Sequence, residues 1–403
     1  MNSIKNNNNK SLHKDTAPIE KTNQPLENFQ EVRQIMLKYE ENLSPYAALD
    51  KDAKRLSPLT LDIRSNYSRD GDRILNSLAY TRYMNKTQVF TNYHNDHIST
   101  RLIHVGLVNK IARTIGKALS LNEELIEAIS LGHDVGHVPY GHTGEAILND
   151  ISLKYDQTYF HHNVQSVREF MTLENKNLTV QVLDGILAHN GEILSNIYQY
   201  KPKTPEEFLE EYHSCYHDKD ASKKILPMTL EGCVVKISDI IGYIGRDLED
   251  ALRIGVIKRT DIPSNIATTL GNTNSQIVNT LILDIITHSR GQDHLELSNP
   301  VFQALQELIN FNYKYIYIPA HSKEQIETYT IMFNELFLYY RDNLTNPKCS
   351  IYHSFLKYKN SDYLNTTNDN RKVIDFIAGM TDRYIETEYQ KYLQLKDRNV
   401  TKC

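Results

Sequence analysis

Cysteine is scarce in this 403-residue sequence, which contains only Cys215, Cys233, Cys349 and Cys403. The four residues are far apart and form no CxxC pair, a usage that is typical of reduced thiols in a cytosol. No apolar run approaches the ~20 residues that a membrane-spanning helix needs, and the N-terminus lacks the apolar core of a signal peptide. We therefore expect a cytoplasmic protein that has no membrane partner.

The sequence also lacks a strong excess of charge of either sign, since its formal net charge is −5 at pH 7. Such a balance does not direct the whole molecule towards nucleic acid, and an anionic substrate would need a local basic cluster. His213, Cys215 and His217 could bind a metal ion together, but the spacing of a four-ligand site is missing. The favoured interpretation of these three residues is an exposed polar loop.

Alternation of apolar and polar residues with period two is scarce, whereas helical periodicity extends through most of the chain after about Leu26. We therefore predict an all-α protein. Residues 1–30, rich in Asn, Lys, Thr and Pro, are predicted to be disordered because they cannot bury enough apolar surface. Residues 31–260 are predicted to form the core, and residues 261–403 a helical C-terminal region packed on that core.

Local patterns add detail to the predicted helices. Asn122 is a candidate N-cap for a helix that ends at Gly132-His133. The tract at residues 313–319 alternates aromatic with other residues and could be a short strand, although a helix end or an extended loop is favoured. We expect two or three amphipathic helices within residues 322–396, and an insertion between helices at the polar residues 201–226.

Residues 132–145 are the most informative stretch of the chain. They contain three histidines and two carboxylates, including the pair His133-Asp134, among glycines and a proline. Imidazole and carboxylate ligands together suit divalent ions such as Zn, Fe, Mn, Co or Mg. A His-Asp pair alone carries little weight, because His217-Asp218 is a second such pair with nothing organised around it.

Two helical patterns flank this stretch and give it more weight. Upstream, Arg101 and His104 are three residues apart, so they project from the same side of a helix with one apolar stripe. Downstream, Asp239, Tyr243 and Asp247 are four residues apart and line one face of a helix rich in Ile and Val. Burying such polar groups is costly without partners, which favours a functional site.

Taken in order, these segments resemble the HD superfamily of metal-dependent phosphohydrolases, and more narrowly the deoxyguanosinetriphosphate triphosphohydrolase family of dNTPases. The resemblance covers about residues 57–252. Six blocks carry it, at residues 72–80, 86–90, 100–104, 132–145, 162–168 and 239–247. The sequence departs from the family pattern at residues 77–82, where a more basic pattern is usual, and at 238–240. These departures concern fine specificity more than chemistry.

The resemblance implies an HD-type helical fold and a divalent metal ion. The metal ligands would be His104, His133, Asp134 and Asp239. Two imidazoles and two carboxylates leave up to two positions open on a six-coordinate ion, for water and a phosphate oxygen. The residues do not identify the ion, which could be Mg, Mn, Co, Ni, Fe or Zn.

The resemblance also implies catalytic roles for four residues near the metal. His142 and Glu145 are three apart and form a tunable acid/base pair, because the carboxylate orients the ring and supports its charged form. In the family, the histidine faces the scissile phosphorus and the carboxylate holds it; a structural salt bridge is the alternative. His137 and His162 are candidates for phosphate contact or for support of the site, with neutral structural roles as the alternative.

Six further residues are candidates for substrate binding. Three are basic and could clamp phosphates, since Arg forms bidentate bonds to phosphate oxygens: Arg101, Lys236 and Arg246. The resemblance implies that Tyr243 packs against C2′ of the sugar, that Asp247 accepts a bond from the 3′ hydroxyl, and that Gln88 approaches the sugar. A solvated face is the alternative for any single charged residue.

The function implied by the resemblance is hydrolysis of dNTPs to a deoxynucleoside and inorganic triphosphate. Two alternatives stay open: an HD phosphohydrolase acting on a cyclic dinucleotide, (p)ppGpp or a nucleoside monophosphate, and a non-catalytic nucleotide-binding regulator. The sequence lacks the His-Asp-x-x-Glu-Asp run of (p)ppGpp hydrolases. The resemblance further implies a homo-oligomer; an allosteric nucleotide remains open, and so does nucleic acid in the role of an effector only.

Overall fold

The computed structural model describes residues 27–90, 97, 99–190, 194–320 and 322–397. These residues are built almost wholly from α-helices, which confirms the predicted all-α class. The tail predicted to be disordered, residues 1–30, lies outside the described residues except for its last four, which begin helix α1. In the described ranges no helix has the length and apolar character needed to cross a membrane.

The helices before residue 255 include the two that the sequence predicts on either side of residues 132–145. They are α1 (Glu27–Leu37), α2 (Asn66–Leu75), α3 (Leu78–Thr81), α4 (Arg101–Ala118), α5 (Glu123–Gly132), α6 (Gly141–Tyr155), α7 (His162–Arg168), α8 (Val180–Ala188), α9 (Pro205–Ser214), α10 (Ala221–Lys224) and α11 (Leu230–Arg253). The segment 201–226, predicted to be an insertion, thus contains two helices, α9 and α10.

The helices after residue 255 form the C-terminal part. They are α12 (Ser264–Thr269), α13 (Asn274–Ser289), α14 (Asn299–Asn312), α15 (Ile318–Ala320), α16 (Lys323–Asp342), α17 (Ser350–Ser354), α18 (Ser361–Thr366), α19 (Asp369–Ala378) and α20 (Asp382–Asp397). A π-helical turn, Tyr313–Tyr317, continues α14, so the aromatic tract is a helix end as favoured. Two short strands, β1 (Ile197–Tyr198) and β2 (Leu295–Glu296), pair antiparallel.

The prediction of two or three helices within residues 322–396 was wrong, because the structure has five, α16 to α20. Two of the extra boundaries are made by asparagine caps. The side chain of Asn360 accepts a hydrogen bond from the backbone N–H of Tyr363, and that of Asn368 accepts one from Arg371. A cap satisfies backbone groups that the first turn leaves unpaired, so a new helix can begin there.

Helix α11 lies at the centre of the main hydrophobic core and packs against α4, α5, α8 and α13. Four residues of the apolar stripe predicted on α4 are essentially inaccessible to solvent, namely Val105, Val108, Ala112 and Ile115, while the fifth, Leu102, is half-buried. Gly242 of α11 allows the two backbones to approach, because a Cβ there would lie 2.9 Å from Cγ2 of Val108. This close approach brings the polar faces of α4 and α11 together.

A second hydrophobic cluster joins the segment after α5 to the C-terminal helices. It contains Val138 and Tyr140 from that segment, Leu148 from α6, Phe333 from α16 and Ile374 from α19. The C-terminal region therefore packs directly against the histidine-rich stretch singled out in the sequence.

Candidate functional site

Three helical segments bring four polar side chains together inside the main core. His104 projects from α4 and Asp239 from α11, while His133 caps the C-terminus of α5 and Asp134 follows it. The distance from Nε2 of His104 to Oδ1 of Asp239 is 2.9 Å, and from Nε2 of His133 to Oδ2 of Asp134 it is 3.5 Å. All four residues are buried. The structure thus gathers the four predicted ligands, and we call them the first cluster.

The ligand atoms of the first cluster fit a divalent cation. Nδ1 of His133 lies 2.7 Å from the carbonyl oxygen of Ser130, which can only accept a hydrogen bond, so Nδ1 carries the proton. Its buried Nε2 has no hydrogen-bond partner among the described residues, and it lies 3.7 Å from Oδ1 of Asp239. Such spacings suit an ion roughly 2.0–2.2 Å from each ligand.

The charges of the first cluster favour a cation as well. Burial by itself would lower the pKa of His133, but Asp134 and Asp239 raise that pKa to about 9. The two carboxylates therefore stabilise positive charge between them, whether a proton or a metal ion supplies it.

Arg101 lies against the first cluster rather than in an open position. Its Nη1 is 2.5 Å from Oδ2 of Asp134, and both side chains are buried. An arginine that already pairs with a carboxylate can offer only its remaining donors to a phosphate. Its predicted role as a phosphate clamp therefore requires it to serve both groups.

Glu145 holds two histidines at one end of the site. One carboxylate oxygen lies 3.2 Å from Nδ1 of His142, and the other accepts hydrogen bonds from both the backbone N–H and the ring Nδ1 of His162, at 2.7 and 3.0 Å. Burial would raise the pKa of Glu145, yet His162 and His142 hold it well below its usual value. His142 itself is exposed, as expected of a group that meets a substrate.

His137 links this acid/base group to the first cluster. Its ring stacks on that of His162 with centroids 3.9 Å apart, and its Nε2 lies 3.3 Å from Oδ1 of Asp134. Burial, and then the charges of Arg101 and His162, keep the pKa of His137 well below its usual value. The ring is therefore suited to be a neutral hydrogen-bond donor to Asp134.

Asp247, the predicted sugar-binding carboxylate, is buried two turns after Asp239 and accepts a hydrogen bond of 3.0 Å from the hydroxyl of Tyr317. Burial raises the pKa of Asp247 to about 7, against the opposing effect of this hydrogen bond. Tyr243 is half-buried on the same helix. The sequence does not point to Tyr317, because its tract carries only a secondary-structure signal and nothing in the pattern links it to α11.

The three remaining candidates for substrate binding, Arg246, Lys236 and Gln88, differ in the contacts that their side chains make. Arg246 donates to Oγ of Ser99 at 2.5 Å and lies 3.4 Å from Asp250, which ties it to the segment before α4. Lys236 is buried on α11, and burial lowers its pKa. Oε1 of Gln88 is buried and has no hydrogen-bond partner among the described residues. Among the described residues, Nε of Arg101 is likewise buried without a hydrogen-bond partner, so Gln88 and Arg101 each present a group that a ligand could satisfy.

His189 is a member of the site that sequence reasoning missed. It caps the C-terminus of α8 and is fully buried, with Nε2 3.6 Å from Oδ1 of Asp134 and 3.3 Å from Nε2 of His162. The available signal was its position at the end of an apolar helix, which it shares with His133. One histidine in such a position is usually a core residue, so the signal was weak.

The control pair His217-Asp218 is exposed and lies outside every metal-competent group found in the described part of the chain. His213 is also exposed, as expected, but the loop interpretation was wrong for this residue because it lies in the last turn of helix α9. Cys215, however, is buried at the end of α9, where its thiol donates to the carbonyl oxygen of Glu211 at 3.2 Å. That thiol is satisfied locally and does not form a site with the two histidines.

Two family models match the chain. The HD domain matches residues 101–243, which include the whole first cluster, and the phosphohydrolase-associated domain matches residues 295–391. The chain is similar to a deoxyguanosinetriphosphate triphosphohydrolase-like protein of Caldanaerobacter subterraneus subsp. tengcongensis, with 36% identity over 89% of this chain and 95% of the relative. A protein of the same name from Desulfatibacillum aliphaticivorans is 37% identical over 87% of this chain and 94% of its own length. Another, from Clostridium perfringens strain 13, is 34% identical over 82% and 87%.

Proposed function

Because the chain belongs to the HD-domain family of deoxyguanosinetriphosphate triphosphohydrolase-like proteins, we propose that it hydrolyses deoxynucleoside triphosphates to a deoxynucleoside and inorganic triphosphate. The observation that carries the proposal is the first cluster, in which two imidazoles and two carboxylates are buried together. It lies directly beside Glu145 and the two histidines that Glu145 contacts, His142 and His162. A regulator that had lost catalysis would not need both sets of residues.

The first cluster would hold one divalent ion through His104, His133, Asp134 and Asp239. When bound, such an ion supplies positive charge that polarises a phosphate oxygen and lowers the pKa of water. The protein's own contribution is to fix the ligand geometry. The carbonyl of Ser130 orients His133, and Arg101 orients Asp134; supports of this kind position metal ligands and tune their basicity.

The proton transfers are assigned to His142 with Glu145 behind it. Water attacks the α-phosphorus, and the bond from that phosphorus to the 5′ oxygen breaks. Nδ1 of His142 faces the Glu145 carboxylate, which leaves Nε2 to give a proton to the departing 5′ oxygen or to accept one from the attacking water. Triphosphate then leaves intact, and basic side chains beside the site would balance its charge.

Selection of the deoxyribose is assigned to Tyr243 and Asp247. They lie one and two turns beyond Asp239 on α11, so a sugar joined to the α-phosphate lies against them. A ring packed on C2′ accommodates hydrogen and excludes a hydroxyl, while a 3′ hydroxyl can bond to Asp247. We therefore expect faster hydrolysis of dGTP than of GTP, and slow hydrolysis of ddGTP.

The deciding experiment is a chromatographic product assay on the four dNTPs and on GTP, with Mg²⁺, Mn²⁺ or Co²⁺ added separately. Deoxynucleoside and triphosphate in equal amounts are the expected products. Release of monophosphate or diphosphate, or equal rates on dGTP and GTP, would instead support an HD phosphohydrolase with another nucleotide substrate.

A pair of variants controls this assay. Asp134→Ala removes a charged member of the first cluster and is expected to abolish turnover and reduce bound metal. His217→Ala changes the exposed control pair and should leave both unaltered. Equal losses in the two variants would mean that the pair at residues 133–134 has no special role.

A further inference from the structure

His133 and Asp134 lie where helix α5 ends, in a buried turn. We call residues 131–136 the ligand turn; every one of them is buried. The last carbonyl groups of an α-helix have no partner within the helix, and buried backbone groups need hydrogen bonds from elsewhere. The carbonyl oxygen of Ser130, just before the turn, is satisfied by Nδ1 of His133 at 2.7 Å. The groups that follow it are satisfied by two side chains from other parts of the chain.

Tyr83 is the first of these side chains. Its hydroxyl donates a hydrogen bond to the carbonyl oxygen of Leu131 at 3.2 Å and accepts one from the backbone N–H of Asp134 at 3.1 Å. A phenol hydroxyl can donate once and can also accept, so both capacities are used on the ligand turn. Tyr83 is buried, and its ring packs edge-on against that of Tyr80, with centroids 5.3 Å apart. This packing leaves the hydroxyl little freedom to move.

Ser166 of α7 is the second, and its hydroxyl contacts the ligand turn in the same way. It donates to the carbonyl oxygen of His133 at 2.6 Å and accepts from the backbone N–H of Gly136 at 2.9 Å. The two backbones approach closely here, because a Cβ on Gly136 would overlap the backbone of Ser166. The ligand turn is therefore held by two hydroxyls, each of which pairs one of its N–H groups and one of its carbonyl groups.

The backbone position of Asp134 matters because its carboxylate must meet groups on other helices. Oδ2 of Asp134 lies 2.5 Å from Nη1 of Arg101 and 3.6 Å from Nε2 of His104, both on α4. Arg101 thus holds the carboxylate of this residue, while Tyr83 holds its backbone. A metal site tolerates an error of only about 0.2 Å in its ligand distances, so a displaced ligand turn would weaken the whole first cluster.

We propose that Tyr83 and Ser166 are positioning residues for the metal centre, and that their hydroxyls hold His133 and Asp134 at the spacing that a divalent ion requires. Both hydroxyls are engaged with backbone groups, so they act through the two ligands and not on the substrate. The inference rests on the proposed function in taking the first cluster as a metal site. It adds two residues on which the affinity of that site depends.

The test is the dissociation constant of Mn²⁺, measured without nucleotide from the electron paramagnetic resonance signal of the free ion. Tyr83→Phe removes one hydroxyl and keeps the packed ring, and Ser166→Ala removes the other. We expect each substitution to raise the dissociation constant by about 10–100-fold, the usual effect of losing a group that supports a metal ligand. All proteins are compared under conditions in which circular dichroism shows them to be folded, so a change in stability alone does not alter the result.

Two matched controls each lose a buried hydroxyl that bonds to backbone outside the ligand turn. The hydroxyl of Tyr67 donates to the carbonyl oxygen of Leu49 at 3.4 Å, and that of Ser289 accepts from the backbone N–H of Glu296 at 3.0 Å. Tyr67→Phe and Ser289→Ala should therefore keep the parental dissociation constant.

Parental dissociation constants in Tyr83→Phe and Ser166→Ala would overturn the proposal, as would an equal rise in the two controls. A rise in only one of the two variants would remove the role of the other residue. If one variant is not folded, the other decides the question. Because nucleotide is absent, a protein that shows the expected changes but hydrolyses no dNTP would sustain this inference and refute the proposed function, whereas a parent that binds no Mn²⁺ would overturn the inference.

Discussion

At the residue scale, the proposed chemistry depends on a single carboxylate, Glu145, that serves both His142 and His162. Only His142 is exposed, so only it can reach a substrate without rearrangement. His142→Ala is expected to lower turnover by about 10²–10⁴, the range for loss of a general acid or base, while the bound metal is unchanged. Steady-state rates and metal content measure the two effects separately.

Exposed His213→Ala is the control for that substitution and should keep the parental rate. A near-normal rate in His142→Ala would move proton transfer to His137 or His162. Simultaneous loss of metal would show instead that the variant disturbs the first cluster rather than the acid/base step.

A second prediction at this scale concerns Asp247. Burial raises the pKa of Asp247 in the folded protein to about 7 from an ordinary value of 3.8, so the folded state binds the proton more tightly than the unfolded state. The stability that this proton contributes is complete below pH 4 and is lost as the pH rises through 7. Asp247→Asn, which cannot ionise, should therefore gain about 2–3 kcal/mol of unfolding free energy relative to the parent between pH 5 and pH 8.

Urea unfolding of both proteins at pH 5 and pH 8 measures this difference. The exposed Asp218→Asn is the matched control, and its difference from the parent should change little over the same range. An Asp247→Asn variant whose relative stability falls with rising pH would contradict the assigned direction of the shift.

At the element scale, the N-terminus of α20 holds the two segments that border the candidate active site. Asp382 accepts hydrogen bonds from the backbone N–H and hydroxyl of Thr87, at 3.0 and 2.7 Å, and from the backbone N–H of Tyr140, at 3.1 Å. Tyr140 has φ of 63° and ψ of 25°, a left-handed conformation that is costly for a side chain of this size. It immediately precedes α6, which carries His142 and Glu145.

Asp382→Asn is therefore expected to misplace His142 and to lower turnover by up to about 10²-fold, the cost of an error of about 1 Å in position. Metal content should stay at the parental value, because Asp382 contacts none of the proposed ligands. Rates and metal analysis are compared with Asp362→Asn, an exposed acid in the first turn of α18. Equal rates in the two variants would show that α20 does not position the acid/base pair.

At the scale of the whole molecule, a buried ionic network joins the HD-domain segment to the C-terminal helices. Asp375 of α19 accepts two hydrogen bonds of 2.8 Å from Arg168, one of 3.1 Å from Arg371 and one of 3.0 Å from the hydroxyl of Tyr363. Burial would raise the pKa of Asp375, but the two arginines lower it to about 2. The carboxylate is thus charged throughout the physiological range.

Asp375→Asn leaves two arginines without their shared counter-charge, and we expect it to cost about 3–5 kcal/mol of unfolding free energy at pH 7. Denaturant titration measures the loss. The control is Asp369→Asn on the same helix, which breaks an exposed pair with Lys372 and should cost no more than about 1 kcal/mol. Comparable losses would mean that the network does not hold the two regions together.

The sequence by itself determined the helical class, the boundaries of α5 and the identity of the first cluster. Apolar residues at three- and four-residue spacing specify a helix and its buried face, as the stripe on α4 shows, and Asn122 caps α5 by local bonds to Glu124 and Leu125. The order of the family blocks identified His104, His133, Asp134 and Asp239. All of these features depend on residues that are close together in the chain or on the order of sequence blocks, and both can be recognised without the three-dimensional structure.

Only the tertiary structure decided which distant side chains complete the site. The hydroxyl of Tyr317 donates to Asp247, 70 residues away in the chain, and His189 contacts His162, 27 residues away. Arg101 pairs with Asp134, whereas Arg246 donates to Ser99. Periodicity shows which face of a helix is buried, but the partner of that face depends on how helices pack and cross. A polar group in the core must then find its partner on whichever helix lies opposite, and that choice is made by the packing of the whole molecule.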